Sequence, residues 1–382
     1  MKKIKVFVVL TSLILFSIQI WAQTWSSAKQ LTWTPGMSFS PKIAVDSADN
    51  LHFVWREDKS GNYEIFYKKS TDGGSTWSAP VRLTWGPEQS KNPLIAADSG
   101  SNIYVFWINS DTTYVRGDLY FRKSTDQGET WLPTNRITWI KSYEFPAVTL
   151  DENDNIYLSC VTSDPPYLGG DNELFLKKST DGGASWFPRT KLTWNSGLSW
   201  GPDIETDSNN FIHLTWIDNT PGNIEIFYKQ STDGGAGWSK PQRLTWNPGD
   251  SYNPKIATDS NNNVFVVWYD DMYGQNEVFF KKSTDEGLTW GATQRLTWNN
   301  RLDDLPQIAV DSLDTLHVVW RGYHSPGYKQ STDQGSNWTP NEDLHVEEVN
   351  SLDLTIDSYD ALHLIWHSIF TGDWEIYYMN RK

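Results

Sequence analysis

Cysteine is almost absent from this 382-residue chain, which contains a single one, Cys160. A lone cysteine excludes a disulfide bond within the chain, and its distance from the amino terminus excludes a lipid-modified amino-terminal cysteine. The stability of the fold must therefore come from side-chain packing and from the way the chain closes on itself.

Basic residues are also in short supply, since 32 Lys and Arg stand against 47 Asp and Glu and give a formal net charge of −15. This balance argues against nucleic acid and anionic membranes as partners, because both attract positively charged surfaces. Carbohydrates, cations and basic proteins stay open as partners. Long apolar runs are missing too, except at the start of the chain, so no membrane span is predicted beyond residue 22.

The one apolar run covers residues 6–20, after three lysines and just before Trp21, Ala22 and Gln23. A short positive region, an apolar segment and a small residue are the parts of an export signal. We therefore predict a signal peptide over residues 1–22, with an uncleaved anchor as the alternative. Its removal would bring the net charge to −18. The mature protein is expected in a periplasm or outside the cell.

Repetition is what the chain has in abundance. The phrase S-T-D-x-G-x-x-W occurs six times, and successive copies lie 48 to 55 residues apart. Self-similarity at about 50 residues is typical of propellers and solenoids. The aspartates of the six copies are Asp72, Asp126, Asp181, Asp233, Asp285 and Asp333.

The repeat unit has the pattern of four short strands separated by turns. In the copy that begins at Pro254, strands are predicted over residues 255–259, 264–268, 277–282 and 290–297. A proline opens the first strand in six copies, where its missing N–H costs no ladder bond. An aspartate ends the first strand in seven copies, which predicts seven blades. These aspartates are Asp46, Asp98, Asp151, Asp207, Asp259, Asp311 and Asp357.

The two ends of the chain complement each other. After Asp357 the sequence offers a second and a third strand and then stops, whereas residues 25–33 match the fourth strand at residues 77–85 and have no strands before them. We therefore predict an all-β fold over residues 23–382, a seven-bladed β-propeller of four-stranded antiparallel blades. The amino-terminal strand completes the last blade and leaves no open edge.

The six phrases resemble the Asp-box, or bacterial neuraminidase repeat, and residues 23–382 resemble secreted sialidase-like propellers built from it. This resemblance implies a propeller fold, but it leaves the activity open, because such proteins include hydrolases, lectins and assembly factors. It also implies that the Asp-box turns lie on the face opposite the active site. The functional face would then carry the loops between blades and those between second and third strands.

Most of the repeated residues have a structural interpretation. An Asp-box aspartate accepts hydrogen bonds in a tight turn, and 19 of the 21 tryptophans after residue 22 occupy repeat positions. We predict that the tryptophans ending second strands are core residues, and we leave those of the Leu-Thr-Trp segments open between packing and ligand stacking. The strand-ending aspartates are interpreted as hairpin turns rather than calcium loops, since they lack the terminal glutamate.

A glutamate begins the third strand in five blades. We interpret it as a carboxylate bonded to neighbouring loop amides, with seven quasi-equivalent weak glycan sites used together as the alternative. The five residues are Glu64, Glu173, Glu225, Glu277 and Glu375.

A sialidase-type hydrolase would need three arginines for the substrate carboxylate, a Tyr–Glu nucleophile pair and an aspartic acid. The Arg-Ile-Pro signature of that family is absent, because the corresponding segment is Ser40, Pro41, Lys42 and Ile43. The sequence therefore favours a non-catalytic module that binds glycans or acts as a scaffold, with exo-α-sialidase-type hydrolysis as the alternative. A protein partner and calcium stay open, and no catalytic residue or other cofactor is predicted.

Candidate ligand contacts come from the acidic and aromatic loops of the functional face and from the arginines that could substitute for the missing signature. A unique site is expected where repetition fails, over the long loops of blades two and three and the short loop of blade six. The candidate residues are Asp270, Asp271, Tyr252, Arg56, Arg301, Arg321 and His324. The long loops add Tyr114, Arg116, Asp118, Tyr167 and Asp171, and the region of blade six adds Asp303, Asp304 and Tyr323.

Overall fold

The computed structural model describes residues 24–33, 36–58, 61–111, 117–139, 143–163, 172–299, 301–369 and 372–382. Within these residues 28 strands form seven four-stranded antiparallel sheets. The predicted seven-bladed β-propeller is confirmed. The predicted leader lies outside the described residues, and the described part contains no helix that is long and apolar enough to cross a membrane.

Each blade runs from an inner strand to an outer strand of two residues. The first strand of the chain, β1 (Lys29–Gln30), belongs to the last blade. Blade 1 contains β2 (Ser38–Val45), β3 (Leu51–Glu57), β4 (Glu64–Ser70) and β5 (Val81–Arg82). Blade 2 contains β6 (Gln89–Ala97), β7 (Ile103–Ser110), β8 (Asp118–Ser124) and β9 (Asn135–Arg136). Blade 3 contains β10 (Tyr143–Leu150), β11 (Ile156–Ser163), β12 (Asn172–Ser179) and β13 (Thr190–Lys191).

The remaining four blades repeat this pattern. Blade 4 contains β14 (Ser199–Thr206), β15 (Ile212–Asp218), β16 (Glu225–Ser231) and β17 (Gln242–Arg243). Blade 5 contains β18 (Ser251–Thr258), β19 (Val264–Asp270), β20 (Glu277–Ser283) and β21 (Gln294–Arg295). Blade 6 contains β22 (Asp303–Val310), β23 (Leu316–Gly322), β24 (Gly327–Ser331) and β25 (Glu342–Asp343). Blade 7 contains β26 (Val349–Ile356), β27 (Leu362–Ser368) and β28 (Glu375–Arg381), with β1 as its outer strand.

The prolines of the inner strands lie inside the strands, so the prediction that they open them was wrong. In blade 5 the strand begins at Ser251, and its pairing with β19 shifts between Tyr252 and Lys255. Pro254 lies in this β-bulge, where the ladder is interrupted and its missing N–H costs nothing. Asn253 just before it has a φ of 51°, so the bulge turns the chain sharply near the start of the inner strand.

The outer strands are shorter than predicted. In blade 5 the predicted fourth strand over residues 290–297 pairs with β20 only at Gln294 and Arg295. Gly291 N and Leu296 N make further backbone hydrogen bonds to the third strand, to the carbonyls of Lys282 and Val278, but no continuous ladder joins them. The outer edge of each blade is therefore held by isolated hydrogen bonds and by side chains.

The core lies between neighbouring blades. The tryptophans that end the second strands are at most 2% exposed, which confirms their prediction as core residues: Trp55, Trp107, Trp216, Trp268, Trp320 and Trp366. The Asp-box tryptophans point across the gap to the preceding blade, as where the Trp290 ring meets the Tyr228 ring edge-on at 4.9 Å. Such ring contacts bind six blades to the one before, whereas Trp238 of blade 4 packs against a cluster that contains Leu174 and Leu176 of blade 3.

The Asp-box aspartates close turns at the face opposite the loops. In blade 1 the Asp72 carboxylate accepts hydrogen bonds from Thr76 N at 2.8 Å and from Ser70 Oγ at 2.8 Å, while Gly74 N donates to Ser70 Oγ at 2.9 Å. Hydrogen bonds from the Thr76 side chain and backbone hold the pKa of Asp72 at about 2. The other five copies repeat the bond from residue i+4 N to the aspartate.

The aspartates that follow the inner strands close hairpin turns. Asp46 accepts from the amides of Ala48 and Asn50, each at 2.9 Å, and from the Asn50 side chain at 2.9 Å. His52 lies 3.2 Å away and also contacts Tyr67. Burial alone would raise the pKa of Asp46, but the hydrogen bonds from His52 and Asn50 outweigh it and leave the pKa lowered. Protein donors thus occupy this carboxylate, and calcium binding stays a prediction.

The amino-terminal strand completes the last blade, as predicted. Lys29 and Gln30 pair with Tyr378 and Tyr377, and the Leu31 amide donates to the Ile376 carbonyl at 2.7 Å. Leu31 is buried in an apolar cluster that joins blades 7 and 1. The ring therefore closes by noncovalent contacts between residues more than 340 positions apart.

Replacing Leu31 by alanine tests this closure. We expect a loss of about 2–5 kcal/mol in the free energy of unfolding, the usual cost of a large-to-small change in a packed core. The measurement is chemical denaturation followed by tryptophan fluorescence. Leu244→Ala, the same position within blade 4, is the matched control and should cost a similar amount. A Leu31→Ala protein as stable as the parent would show that the first strand does not close the ring.

Candidate functional site

The loop face is the side of the propeller on which outer strands connect to the next blade and second strands connect to third strands. The inner strands of the seven blades surround a central channel with a cavity of about 320 Å³. Its opening toward the loop face is lined by the residues of the bulges, including Ser40, Asn92, Phe145 and Asn253. The second strands also end on this face, and in blade 1 Arg56 pairs with Phe39, next to Ser40 of the opening.

Arg56 lies at the end of the second strand of blade 1 and is half-buried. Its guanidinium carbon lies 5.4 Å from the centre of the Phe39 ring and 4.8 Å from that of Tyr63. Its Nε is buried without a hydrogen-bond partner, and no carboxylate of the described residues forms an ion pair with it. Burial lowers the pKa of Arg56, although an arginine so placed keeps its charge at neutral pH.

His367 occupies the corresponding position in blade 7. Its Nδ1 is 2.7 Å from Ser351 Oγ. Its ring meets the Phe39 ring edge-on at 5.4 Å and lies tilted against the Trp374 ring at 5.3 Å. Burial, reinforced by the charges of Arg56 and Arg321, lowers the pKa of His367 to about 4. The imidazole is therefore neutral at pH 7.

Arg321 occupies the corresponding position in blade 6, but its charge is compensated. Its Nε and Nη2 donate to the two oxygens of Asp304, each at 2.6 Å. In blade 5 the position is taken by Tyr269, whose ring stacks on Tyr252 at 5.4 Å. Burial, with the nearby Asp304, raises the pKa of Tyr269 to about 12. This hydroxyl is therefore protonated at neutral pH.

These residues form one arc on blades 5, 6, 7 and 1, which we call the mouth cluster. It brings together two of the predicted arginines, from blades 1 and 6, on either side of a blade-7 histidine that sequence reasoning missed. The signal was present, because Arg56, Arg321 and His367 each follow a second-strand tryptophan directly. The cluster consists of Phe39, Arg56, Tyr63, Tyr252, Tyr269, Asp304, Arg321, Ser351, His367 and Trp374.

Asp270 and Asp271 accept hydrogen bonds from groups in the loops around blade 5. The buried carboxylate of Asp270 accepts from Asn247 Nδ2 at 2.7 Å, Ser251 Oγ at 2.6 Å and Met272 N at 2.8 Å. Asp271 accepts from the Asp250 amide at 2.8 Å. A ligand would have to displace these donors, so a binding role for the two aspartates stays a prediction that the geometry does not favour.

Arg301 and His324 lie apart from the mouth cluster. Both are exposed, and the His324 ring meets that of Tyr323 edge-on at 4.4 Å. No contact among the described residues joins either to the mouth cluster. Asp118 begins the third strand of blade 2, where it is buried and 2.6 Å from Arg136. The other candidates of the long loops, Tyr114, Arg116, Tyr167 and Asp171, lie outside the described residues.

The glutamates that begin third strands bind the end of the outer strand. In blade 4 Glu225 accepts from Arg243 Nη2 at 2.6 Å and from Thr245 Oγ1. The same pair of donors reaches Glu64 and Glu277. Their main partners are a basic side chain and a threonine hydroxyl, and Glu277 also accepts from the loop amide of Asn299 at 3.0 Å. In the described part of the chain no three His, Cys, Asp or Glu side chains are grouped in a way that could hold a metal ion.

The tryptophans of the Leu-Thr-Trp segments point into solvent. Their exposed fractions lie between 64% and 70%, against at most 2% for the second-strand set. The question that the sequence left open is thereby decided against core packing.

Comparisons with known proteins support the repeat and the fold. Residues 21–158, about a third of the chain, match the model of the BNR repeat-like domain. No curated protein matches the chain. The resemblance to sialidase-like Asp-box propellers is confirmed at the level of repeat and architecture.

Solved structures with this architecture include carbohydrate-active enzymes. An ulvan lyase of polysaccharide lyase family 25 is 10% identical, with 92% of this chain and 95% of that chain covered and a TM-score of 0.65. A GH93 α-L-arabinofuranosidase of Fusarium graminearum is 14% identical, with 93% and 97% covered and a TM-score of 0.60. The Hadza microbial sialidase Hz136 is 15% identical, with 86% and 76% covered and a TM-score of 0.54. At these identities the likeness concerns the fold alone.

Burial of His367 next to two arginines predicts a low pKa for its imidazole. By NMR we expect a midpoint near pH 4, and Arg56→Gln should raise it because one of the two repelling charges is removed. An unfolded histidine titrates near 6.5, so the unfolded chain binds more protons between about pH 4 and 6.5. The stability of the folded state should therefore fall as the pH falls through this window.

His367→Asn is the control, since it should remove one histidine signal and part of this pH dependence. A midpoint near 6.5 in the parent protein would contradict the buried, cation-flanked position of His367.

Proposed function

We propose that this protein is an exported, non-catalytic carbohydrate-binding propeller whose mouth cluster recognises an acidic sugar residue of a polysaccharide. The observation that carries this proposal is Arg56, a half-buried guanidinium that lies against two aromatic rings without a carboxylate partner among the described residues. Export rests on the predicted leader, and a protein-bound glycan at a cell surface would present the same chemistry.

The surroundings of Arg56 suit an anion. A guanidinium stacked on aromatic rings keeps its N–H edge for a carboxylate or sulfate, which it can bind through two parallel hydrogen bonds. A partly buried charge without a counterion is unfavourable, and a bound anion would offset that cost. The nearby ring of Trp374 adds an apolar surface of the kind that lines ligand sites.

The neighbours in structure support a saccharide ligand. The ulvan lyase has been solved with -[GlcA(1-4)Rha3S]- bound, a saccharide that carries a carboxylate and a sulfate, and the arabinofuranosidase with arabinobiose. Since both share the propeller with this chain, the proposal that this chain also binds a saccharide requires no change of architecture. Fold likeness does not carry an activity with it.

The state of the nearby carboxylates supports binding over hydrolysis. Glycoside hydrolysis needs an acid and a second carboxylate or base on either side of the scissile bond. At the mouth Asp304 is held by both nitrogens of Arg321, and Asp270 is saturated by three donors. Asp303 is buried with Asn299 as its partner, and burial raises its pKa to about 6, as a general acid needs, but the other two carboxylates are occupied. Sialidase-type hydrolysis is the competing outcome in the test.

The test is isothermal titration of the mature protein with acidic and neutral oligosaccharides, in calcium and in chelator. Arg56→Gln should weaken binding of the acidic ligand by about tenfold or more, as loss of a charged pair with two hydrogen bonds does. Arg301→Gln is the matched control, because Arg301 is an exposed arginine outside the mouth cluster, and should change the affinity less than twofold.

Three results would contradict the proposal. Equal affinity of the Arg56→Gln and parent proteins would show that the mouth is not the site. Equal binding of neutral and acidic ligands would remove the role of the charge. Release of sugar products during the titration would establish a hydrolase instead.

A further inference from the structure

Six exposed tryptophans stand at one repeat position, each at the junction between two blades. We call them the rim tryptophans, and they are Trp33, Trp85, Trp139, Trp194, Trp246 and Trp298. Scattered exposed apolar side chains are ordinary, but large ones repeated at one place around a ring mark a surface with a binding role.

Each rim tryptophan is held by the residues just before it. In blade 4 Leu244 is buried, Arg243 pairs with Glu225, and Thr245 bonds to the same carboxylate. Three anchored residues thus fix the backbone from which Trp246 projects. An aromatic ring on such a support loses little conformational freedom when a ligand stacks on it.

A cation from the next blade lies beside most of these rings. Lys229 of blade 4 has its ammonium 5.7 Å from the centre of the Trp194 ring and donates to the Leu192 carbonyl at 2.7 Å. Lys281 of blade 5 repeats this at Trp246, with 5.2 Å to the ring. Among the described residues neither lysine has a carboxylate in an ion pair. Burial lowers the pKa of Lys229 to about 8, so it remains largely charged at neutral pH.

The junction of blades 3 and 4 is an open groove of about 730 Å³. The rings of Trp194, Phe227 and Trp238 line it together with Lys229. Lys191, Asp218, Lys240 and Arg243 are the other charged residues of its lining. A volume of this order falls within the roughly 300–1,000 Å³ of small-ligand sites. The groove lies on the outer side of the propeller along the outer strands of blades 3 and 4, away from the central channel.

The seventh junction, between blades 6 and 7, lacks both the tryptophan and the lysine. Between blades 6 and 7 the rim position is taken by Val346, and the position of Lys229 is taken by Met379. A smaller groove of about 390 Å³ remains there, lined by Val346, Trp366 and Tyr377. The chain therefore contains one junction with the same backbone but without the ring and the cation.

We infer that the groove between blades 3 and 4 is a second carbohydrate-binding site, in which a sugar ring of an acidic polysaccharide stacks on Trp194 and its carboxylate or sulfate faces the exposed Lys240 and the buried charge of Lys229, which is 2% exposed. The other rim tryptophans provide weaker copies of this site. Binding at several copies along one polysaccharide raises the overall affinity above that of any single site. This inference does not depend on the site proposed at the mouth.

The experiment is affinity electrophoresis of the mature protein in gels containing galacturonan, alginate, ulvan or chondroitin sulfate, with dextran as the neutral comparison. At least one acidic polysaccharide should retard the parent protein, and dextran should not. Trp194→Val, which installs the residue of the seventh junction, should weaken the retardation about threefold or more through loss of ring stacking. Lys229→Met, the matching change at the cation, should weaken it similarly.

Two further variants separate this site from the mouth. Arg56→Gln should leave the contribution of the groove intact, so that its combination with Trp194→Val weakens retardation more than either change alone. Thermal unfolding of Trp194→Val should match the parent, because the ring is exposed. Unchanged retardation in both Trp194→Val and Lys229→Met, or no retardation of the parent in any of the four acidic polysaccharides, would overturn the inference.

Discussion

Aromatic and aliphatic packing between neighbouring blades is the interaction on which the rest of this structure depends. One apolar cluster joins Tyr228 and Leu244 of blade 4 to Val264 and Trp268 of blade 5, and similar clusters occupy other junctions. With one buried cysteine and no disulfide in the sequence, this packing must hold the ring together. Because β1 completes the last blade, that blade packs against a neighbour on each side, as every other blade does.

That packing uses the same positions in every blade and leaves two positions outside the common core. At the second-strand end, Ile108, Val161 and Ile217 of blades 2 to 4 are apolar and buried. The same position in blades 5, 6, 7 and 1 carries tyrosine, arginine, histidine and arginine. The mouth cluster therefore arises from one-residue departures within a repeat that is otherwise kept for packing. The rim tryptophans are the opposite case, a repeated residue that the core does not use.

The features of the fold that repeat from blade to blade could be predicted from the sequence. The number of blades, the closure by β1 and the burial of the second-strand tryptophans followed from spacing, because each repeat must bury the same faces. Strand bounds were less accurate, since the bulge at Pro254 and the two-residue outer strands depend on local hydrogen bonds. Asp270 looked like a ligand contact from composition alone, and three local donors occupy it. The place of His367 in the site was not predicted, because it depends on burial and on Arg56 and Arg321, which come from the neighbouring blades 1 and 6.

The proposed function depends on Arg56 binding an anion at the mouth of the channel. The most direct measurement is a crystal structure of the mature protein with an acidic oligosaccharide bound. We expect a carboxylate or sulfate hydrogen-bonded to the guanidinium of Arg56, with a sugar ring against Phe39, Tyr63 or Trp374. A mouth that stays empty in that crystal, or a saccharide at the mouth that makes no contact to the guanidinium of Arg56, would contradict this role, whether or not a second saccharide lies against the rim tryptophans.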